Sequence, residues 1–156
     1  MRKVFAGFAT LLILAIVVQF FFAASGAFDT APKDEAFQPH RALGYITLFI
    51  AILTTIVAAV ARVPGRVIGM TGLIAGLIVV QALIRMLADA FNDTGDASTT
   101  AGKLIFGLHA VNGLVIMTLA GTVVRRARML SRPAVAAGPA GASNHAEVSG
   151  PAHPVS

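Results

Sequence analysis

Two histidines stand out in this chain, because His40 opens one long apolar run and His109 lies inside another. A neutral imidazole presents one nitrogen as a metal ligand. Two imidazoles from different segments are what a bis-histidine b-type haem requires. A flat cofactor also needs small neighbours. Gly44 follows His40 by four residues and Gly113 follows His109 by four, a spacing that sets each glycine one turn along the same helix face. Arg41, Arg85 and Lys103 offer cations for carboxylates such as haem propionates. Gln81 stands four residues before Arg85, and Asn112 three after His109, so each shares a helix face with its neighbour. The expected metal ligands are His40 and His109. Arg41, Arg85, Gly44, Gln81 and Asn112 complete the expected cofactor site. Each histidine also has a plainer reading. His40 follows Pro39 at a helix start, where an interfacial residue is at home. His109 is equally explained as a neutral histidine hydrogen-bonded to Gln81 or Asn112.

Other chemistry is sparse. There is no cysteine, hence no disulfide, thiolate-bound zinc, Cys-ligated cluster or covalently attached haem. No nucleophile–histidine–acid arrangement or GxSxG stands out, so the expectation leans away from an enzyme. Asp34-Glu35 and Asp93-x-x-Asp96 read as solvated loop charge, and His145 and His153 are too scattered for a metal tract.

The elements that must position these residues follow from composition. Of 156 residues, 56% are hydrophobic and 12% charged, and the mean hydropathy is +0.81. A soluble domain of this size cannot hide so much apolar surface, which leaves an integral membrane protein. A span needs about 20 apolar residues to cross a hydrocarbon core of about 30 Å. Four runs qualify: 4–25, 42–61, 67–88 and 104–124. They are continuous rather than alternating, which argues against barrel strands. The expected fold is all-α, a four-helix transmembrane bundle over residues 1–130. Residues 131–156 read as a disordered tail, 18 of these 26 being Ala, Gly, Pro or Ser. Met1-Arg2-Lys3 before the first run resembles a signal peptide, but the run exceeds a usual h-region and is expected to be retained. No internal repeat is evident.

Within span two, His40, Gly44, Thr47, Ala51, Thr54 and Ala58 line one helix face, opposite Leu43, Ile46, Ile50, Leu53, Val57 and Val60. In span three, Gly72 and Gly76 form a GxxxG pair suited to helix–helix packing.

Charge sets the expected orientation. The N-terminus, the 62–66 turn and the tail hold eight of the 12 Lys and Arg, whereas the two remaining loops hold six of the seven acids. The positive-inside rule then puts both termini in the cytoplasm and makes the chain a multi-pass protein of the cell membrane. The basic pI of about 10.8 therefore reflects orientation and anionic lipid, not nucleic acid. Gln19, His40, Gln81, Arg85, His109 and Asn112 all fall toward the outer side.

Gln38-Pro39-His40-Arg41-Ala42-Leu43-Gly44-Tyr45 resembles the His-Arg-x-x-Gly helix start of haem A synthase, and Leu108-His109-Ala110-Val111-Asn112 is similar to its second ligand helix. The chain would be one four-helix half of that architecture. The whole pattern also resembles a family of small actinobacterial four-helix membrane proteins without assigned function. The resemblance implies His40 and His109 as haem ligands and Glu35 as an outer-loop acid. It does not imply catalysis, since the second half and the cysteine pair of some synthases are missing and Glu35 stands five residues before His40. Two functions follow as expectations. One is a b-type haem protein for electron transfer or haem handling. The other is a cofactor-free accessory subunit of a larger membrane or respiratory complex.

Overall fold

The computed structural model describes residues 1–91 and 99–132. Four long helices and one short one make up the described chain: α1 (Arg2–Ala27), α2 (Lys33–Ala36), α3 (Gln38–Val60), α4 (Gly65–Ala90) and α5 (Thr100–Ser131). No strand occurs among the described residues. The four long helices are each long and apolar enough to cross a membrane. The all-α four-helix bundle expected from the apolar runs is the fold observed. The expected disorder of 131–156 falls almost wholly outside the described residues, as do Asp93, Asp96, His145 and His153.

Each long helix begins before the apolar stretch that predicts it, and all but α3 also end beyond it. Backbone groups in a bilayer must be satisfied within the segment, and helical hydrogen bonding continues into the polar flanks until a specific residue stops it. α3 ends in a Schellman motif. Arg62 adopts φ 50°, Val63 N–H donates to Ala58 O at 3.2 Å, and Arg62 N–H donates to Ala59 O at 3.0 Å. Val63 then tucks into the core and Pro64 caps α4. At the start of α5, the Thr99 hydroxyl accepts from Gly102 N–H at 3.0 Å and donates to Phe91 O at 2.6 Å, so the N-cap is also tied to the end of α4.

The long helices neighbour one another in a ring, α1 to α3 to α4 to α5 and back to α1. Short connections make successive helices antiparallel. One end therefore gathers Arg2, Lys3, Arg62, Arg66, Arg125, Arg126, Arg128 and Arg132. The other gathers Asp29, Asp34, Glu35 and Asp89. We call these the basic and acidic ends.

The apolar core occupies the basic side of the bundle. It contains Phe5, Leu12 and Ile16 of α1, Ile50, Ala51 and Ala58 of α3, Val67 and Ile74 of α4, and Ile116, Ala120, Val123 and Ala127 of α5. The face of α3 expected to be small is buried at Thr47, Ala51, Thr54 and Ala58. Its threonines return their hydroxyls to the i−4 carbonyl, Thr47 to Leu43 O and Thr54 to Ile50 O, which lets them sit dry. Ile50, placed on the opposite face from sequence, is buried at 9% exposure. It lies at the border of the stripe, four residues before Thr54 and three after Thr47. Beyond Ile16, Ile50, Ile74 and Ile116 toward the acidic end, polar side chains replace apolar ones along the axis.

Candidate functional site

Two helical hairpins supply this polar layer, and they supply it in the same way. In the first hairpin, α3 turns His40 toward α1, where its Nδ1 lies 3.1 Å from the backbone oxygen of Gln19. In the second, α5 turns His109 toward α4, where its Nδ1 lies 3.3 Å from the backbone oxygen of Gln81. A carbonyl oxygen only accepts, so each Nδ1 carries the proton and donates. In a neutral imidazole held this way, Nε2 is the nitrogen that keeps its lone pair. The glutamine that holds each imidazole by its backbone also covers the glycine four residues further on. A Cβ on Gly44 would lie 3.1 Å from Gln19 Nε2, and one on Gly113 would lie 3.4 Å from Gln81 Nε2 and 3.4 Å from the Phe20 ring. A Gln···His-x-x-x-Gly unit thus occurs twice, although sequence inspection finds no repeat. The signal was two glutamines at unequal distances from their histidines, 21 and 28 residues, and only the hairpin geometry makes them equivalent.

α3 and α5 are diagonal in the ring, and the two imidazoles meet across it. Their ring centroids are 6.1 Å apart with an interplanar angle of 54°. By count from the apolar edges, His109 lies about seven residues deeper than His40, or ~10 Å at 1.5 Å per residue. The structure removes that offset. α2 leads into α3 with only Phe37 between them, so the helical path to His40 begins at Lys33, much as the path to His109 begins at Thr100. Phe106 stacks on His109 at 5.3 Å and 8°, and Phe37 meets His40 edge-on at 6.3 Å. Sequence reasoning missed both phenylalanines. They stand three residues before their histidines, an ordinary i, i+3 pairing.

The two units differ at the position three residues after the histidine. Asn112 stands three residues after His109, and its Nδ2 donates to Gln81 Oε1 at 3.0 Å and to Leu77 O at 2.9 Å. The equivalent residue after His40 is Leu43. Gln19 Oε1 is consequently buried with no hydrogen-bond partner among the described residues.

The acidic end closes the layer with charge. Arg41 reaches Asp34 of α2 through Nη1 to Oδ1 at 3.3 Å, and its Nη2 donates to Asp34 O. Arg85 lies 4.0 Å from the same Oδ1 and 3.4 Å from Asp89 Oδ2. Asp34, expected to be solvated, is indeed exposed, and it also lies within ion-pair distance of two arginines from different helices. Lys103 and Glu35 are exposed and form no ion pair among the described residues. Gly72 approaches Thr55, with a Cβ position 3.8 Å from its methyl, whereas open space surrounds Gly76. No group of three or more His, Cys, Asp or Glu capable of holding a metal occurs among the described residues.

Of the site residues expected from sequence, His40, His109, Gly44, Gln81 and Asn112 meet in this layer, and Arg41 and Arg85 border it.

The donor set suits a metal held between two imidazoles. Ligating histidines ordinarily donate their second ring nitrogen to a backbone carbonyl or carboxylate, and both do so here. A metal–nitrogen bond of about 2 Å on each side, plus the half-width of each ring, places the centroids roughly 6 Å apart, close to the separation observed. The ground beside Gly44 is filled by the Gln19 amide, and that beside Gly113 by the Gln81 amide and the Phe20 ring, all of them side chains on rotatable stems and none of them backbone.

A family of unknown function (DUF6220) matches residues 19–88. The match begins at Gln19 and ends just past Arg85, so it covers His40 and Gln81 but not α5 or His109. No curated protein and no solved structure matches the chain, and the likeness to haem A synthase gains no support from these comparisons.

Proposed function

We propose that this chain is a multi-pass protein of the cell membrane, with both termini cytoplasmic, that binds one b-type haem through His40 and His109 near the outer face. Its role on this reading is electron transfer or haem handling. The observation that carries the reading is the pair of imidazoles, 6.1 Å apart across the bundle, each with Nδ1 committed to a backbone carbonyl of the neighbouring hairpin helix.

When bound, haem would supply a one-electron iron couple. The protein's own contribution is positional. Gln19 and Gln81 fix the tautomer and plane of each imidazole through their carbonyls, which raises the basicity of the free Nε2. Phe106 lies flat against the His109 ring and Phe37 meets the His40 ring edge-on, which restricts the orientation of each imidazole. Gly44 and Gly113 keep branched side chains away from the space beside each ligand. Asn112 and Gln81 hold α5 in register with α4. Arg41 and Arg85 would meet the propionates at the acidic end.

The test is optical. Protein purified from haem-replete cells should show a reduced-minus-oxidised spectrum of a bis-histidine b-type haem. His40→Ala and His109→Ala should each abolish or shift it. A folded, colourless protein that also refuses added haemin would overturn the reading. It would favour instead a cofactor-free accessory subunit, a role consistent with the open, exposed positions of Gly69 and Gly76 on α4. Those positions would let another helix approach closely.

A further inference from the structure

The haem reading assigns Arg41 and Arg85 to ligand carboxylates, yet in the structure a carboxylate of the chain itself is already there. Asp34 Oδ1 lies 3.3 Å from Arg41 Nη1 and 4.0 Å from Arg85 Nη2. The two guanidinium groups come from different helices, α3 and α4, and converge on one oxygen. Arg85 is also engaged by Asp89, four residues along α4. With Asp34 and Asp89 in place, the two cations are matched by two anions. An incoming carboxylate therefore gains little from the arginines unless one acid leaves.

Asp34 is the acid able to leave. Its side chain is 89% exposed, whereas those of Arg41 and Arg85 are 30% and 40% exposed. It rides on α2, a single turn of helix that no side chain caps. Asp89, by contrast, is built into the long helix that carries its partner.

Resting on the haem reading, we propose that Asp34 is an internal stand-in for a ligand carboxylate. It holds the Arg41–Arg85 seat in the empty protein and competes with the propionate that takes it. Removing the competing charge should strengthen binding of a carboxylate-bearing porphyrin. Exposed ion pairs are individually weak, so losing two competing contacts should tighten binding roughly two- to thirtyfold. The gain should depend on the ligand's own carboxylates.

Full-length protein purified without haem is titrated with haemin and, separately, with its dimethyl ester, whose carboxylates are blocked. Asp34→Asn should bind haemin about two- to thirtyfold more tightly than the unchanged protein and the ester no better. Asp34→Glu, which keeps the charge, should track the unchanged protein. Adding Arg41→Ala or Arg85→Ala to Asp34→Asn should erase the gain. If the unchanged protein takes up haemin but Asp34→Asn binds it equally or more weakly, this proposal falls and the haem reading stands. An equal gain for the ester would also overturn it, since Asp34 would then act through the placement of α2 and not by competing for the seat. If neither protein takes up haemin, the haem reading and this proposal fall together.

Discussion

At the scale of residues, the most informative comparison is between the two glutamines. Each gives its backbone carbonyl to a histidine and lays its amide over a glycine, but Gln81 Oε1 is satisfied by Asn112 and Gln19 Oε1 is not. A buried acceptor left without a donor costs about 1–3 kcal/mol, although hydrogen bonds between membrane helices average nearer 0.6. Leucine at the two positions should therefore have opposite effects. Gln81→Leu should destabilise the detergent-solubilised protein by about 1 kcal/mol, because Asn112 loses an acceptor. Gln19→Leu should be neutral or stabilising, because it removes an orphan. Thermal or denaturant unfolding of both variants checks this, and equal losses would refute the asymmetry. Much of this site was legible in the sequence. His40, His109, Gln81 and Asn112 are costly inside apolar runs and so call for an explanation. Gln19's pairing with His40, and Asp34's with two arginines, were not legible. Both depend on which helices become neighbours, and no spacing along the chain encodes that.

At the scale of elements, the close packing of α1 against α2 sets the position of the charges at the acidic end. A Cβ on Gly26 would lie 2.7 Å from Ala36 O and 3.2 Å from the Phe37 ring. The obstacle is backbone, which cannot rotate away as a flexible side chain would. Gly26→Ala should force α2 outward at a cost of about 1–3 kcal/mol. It should also loosen Asp34 from Arg41 and disturb Phe37 against His40. Unfolding measurements report the first effect, and a shift in any visible spectrum reports the second. The turn between α3 and α4 predicts the opposite sign. Arg62 holds φ 50° at the position after the helix where glycine is usual. Arg62→Gly should stabilise the protein by about 0.5–1 kcal/mol, read as a higher unfolding midpoint with an unchanged fold. The Pro64-Gly65 pair announces this turn, but nothing marks Arg62 as its left-handed residue. α2 escaped sequence reading for a related reason. A four-residue helix is too short to show a 3.6-residue period.

At the scale of the whole molecule, the separation of charge is the organising fact. The four long helices alternate in direction, so the N-terminus, the 62–66 turn and the end of α5 share one end. Every acid among the described residues lies at the other. The basic end carries Arg2, Lys3, Arg62, Arg66, Arg125, Arg126, Arg128 and Arg132, and none of these forms an ion pair among the described residues. Lys and Arg resist translocation across the membrane, whereas Asp and Glu contribute little to orientation. The arrangement therefore predicts one topology and a graded way to weaken it. In a chain without cysteine, a single introduced thiol reports its side unambiguously. Thr30→Cys, exposed at the acidic end, should react with a membrane-impermeant maleimide in intact cells. Ser131→Cys, at the basic end of α5, should react only after the cells are opened. The reverse pattern would overturn the orientation and place the histidine layer on the cytoplasmic side. The stronger test adds charge reversal. Replacing Arg2 and Lys3 with glutamate removes two positive charges from the flank of α1. Six of the eight remain, so Thr30→Cys should lose only part of its labelling in intact cells. Replacing Arg62 and Arg66 as well halves the original count and should produce a mixed population, with Ser131→Cys becoming reactive in proportion. If labelling stays unchanged through both steps, the charge asymmetry is not what orients this bundle.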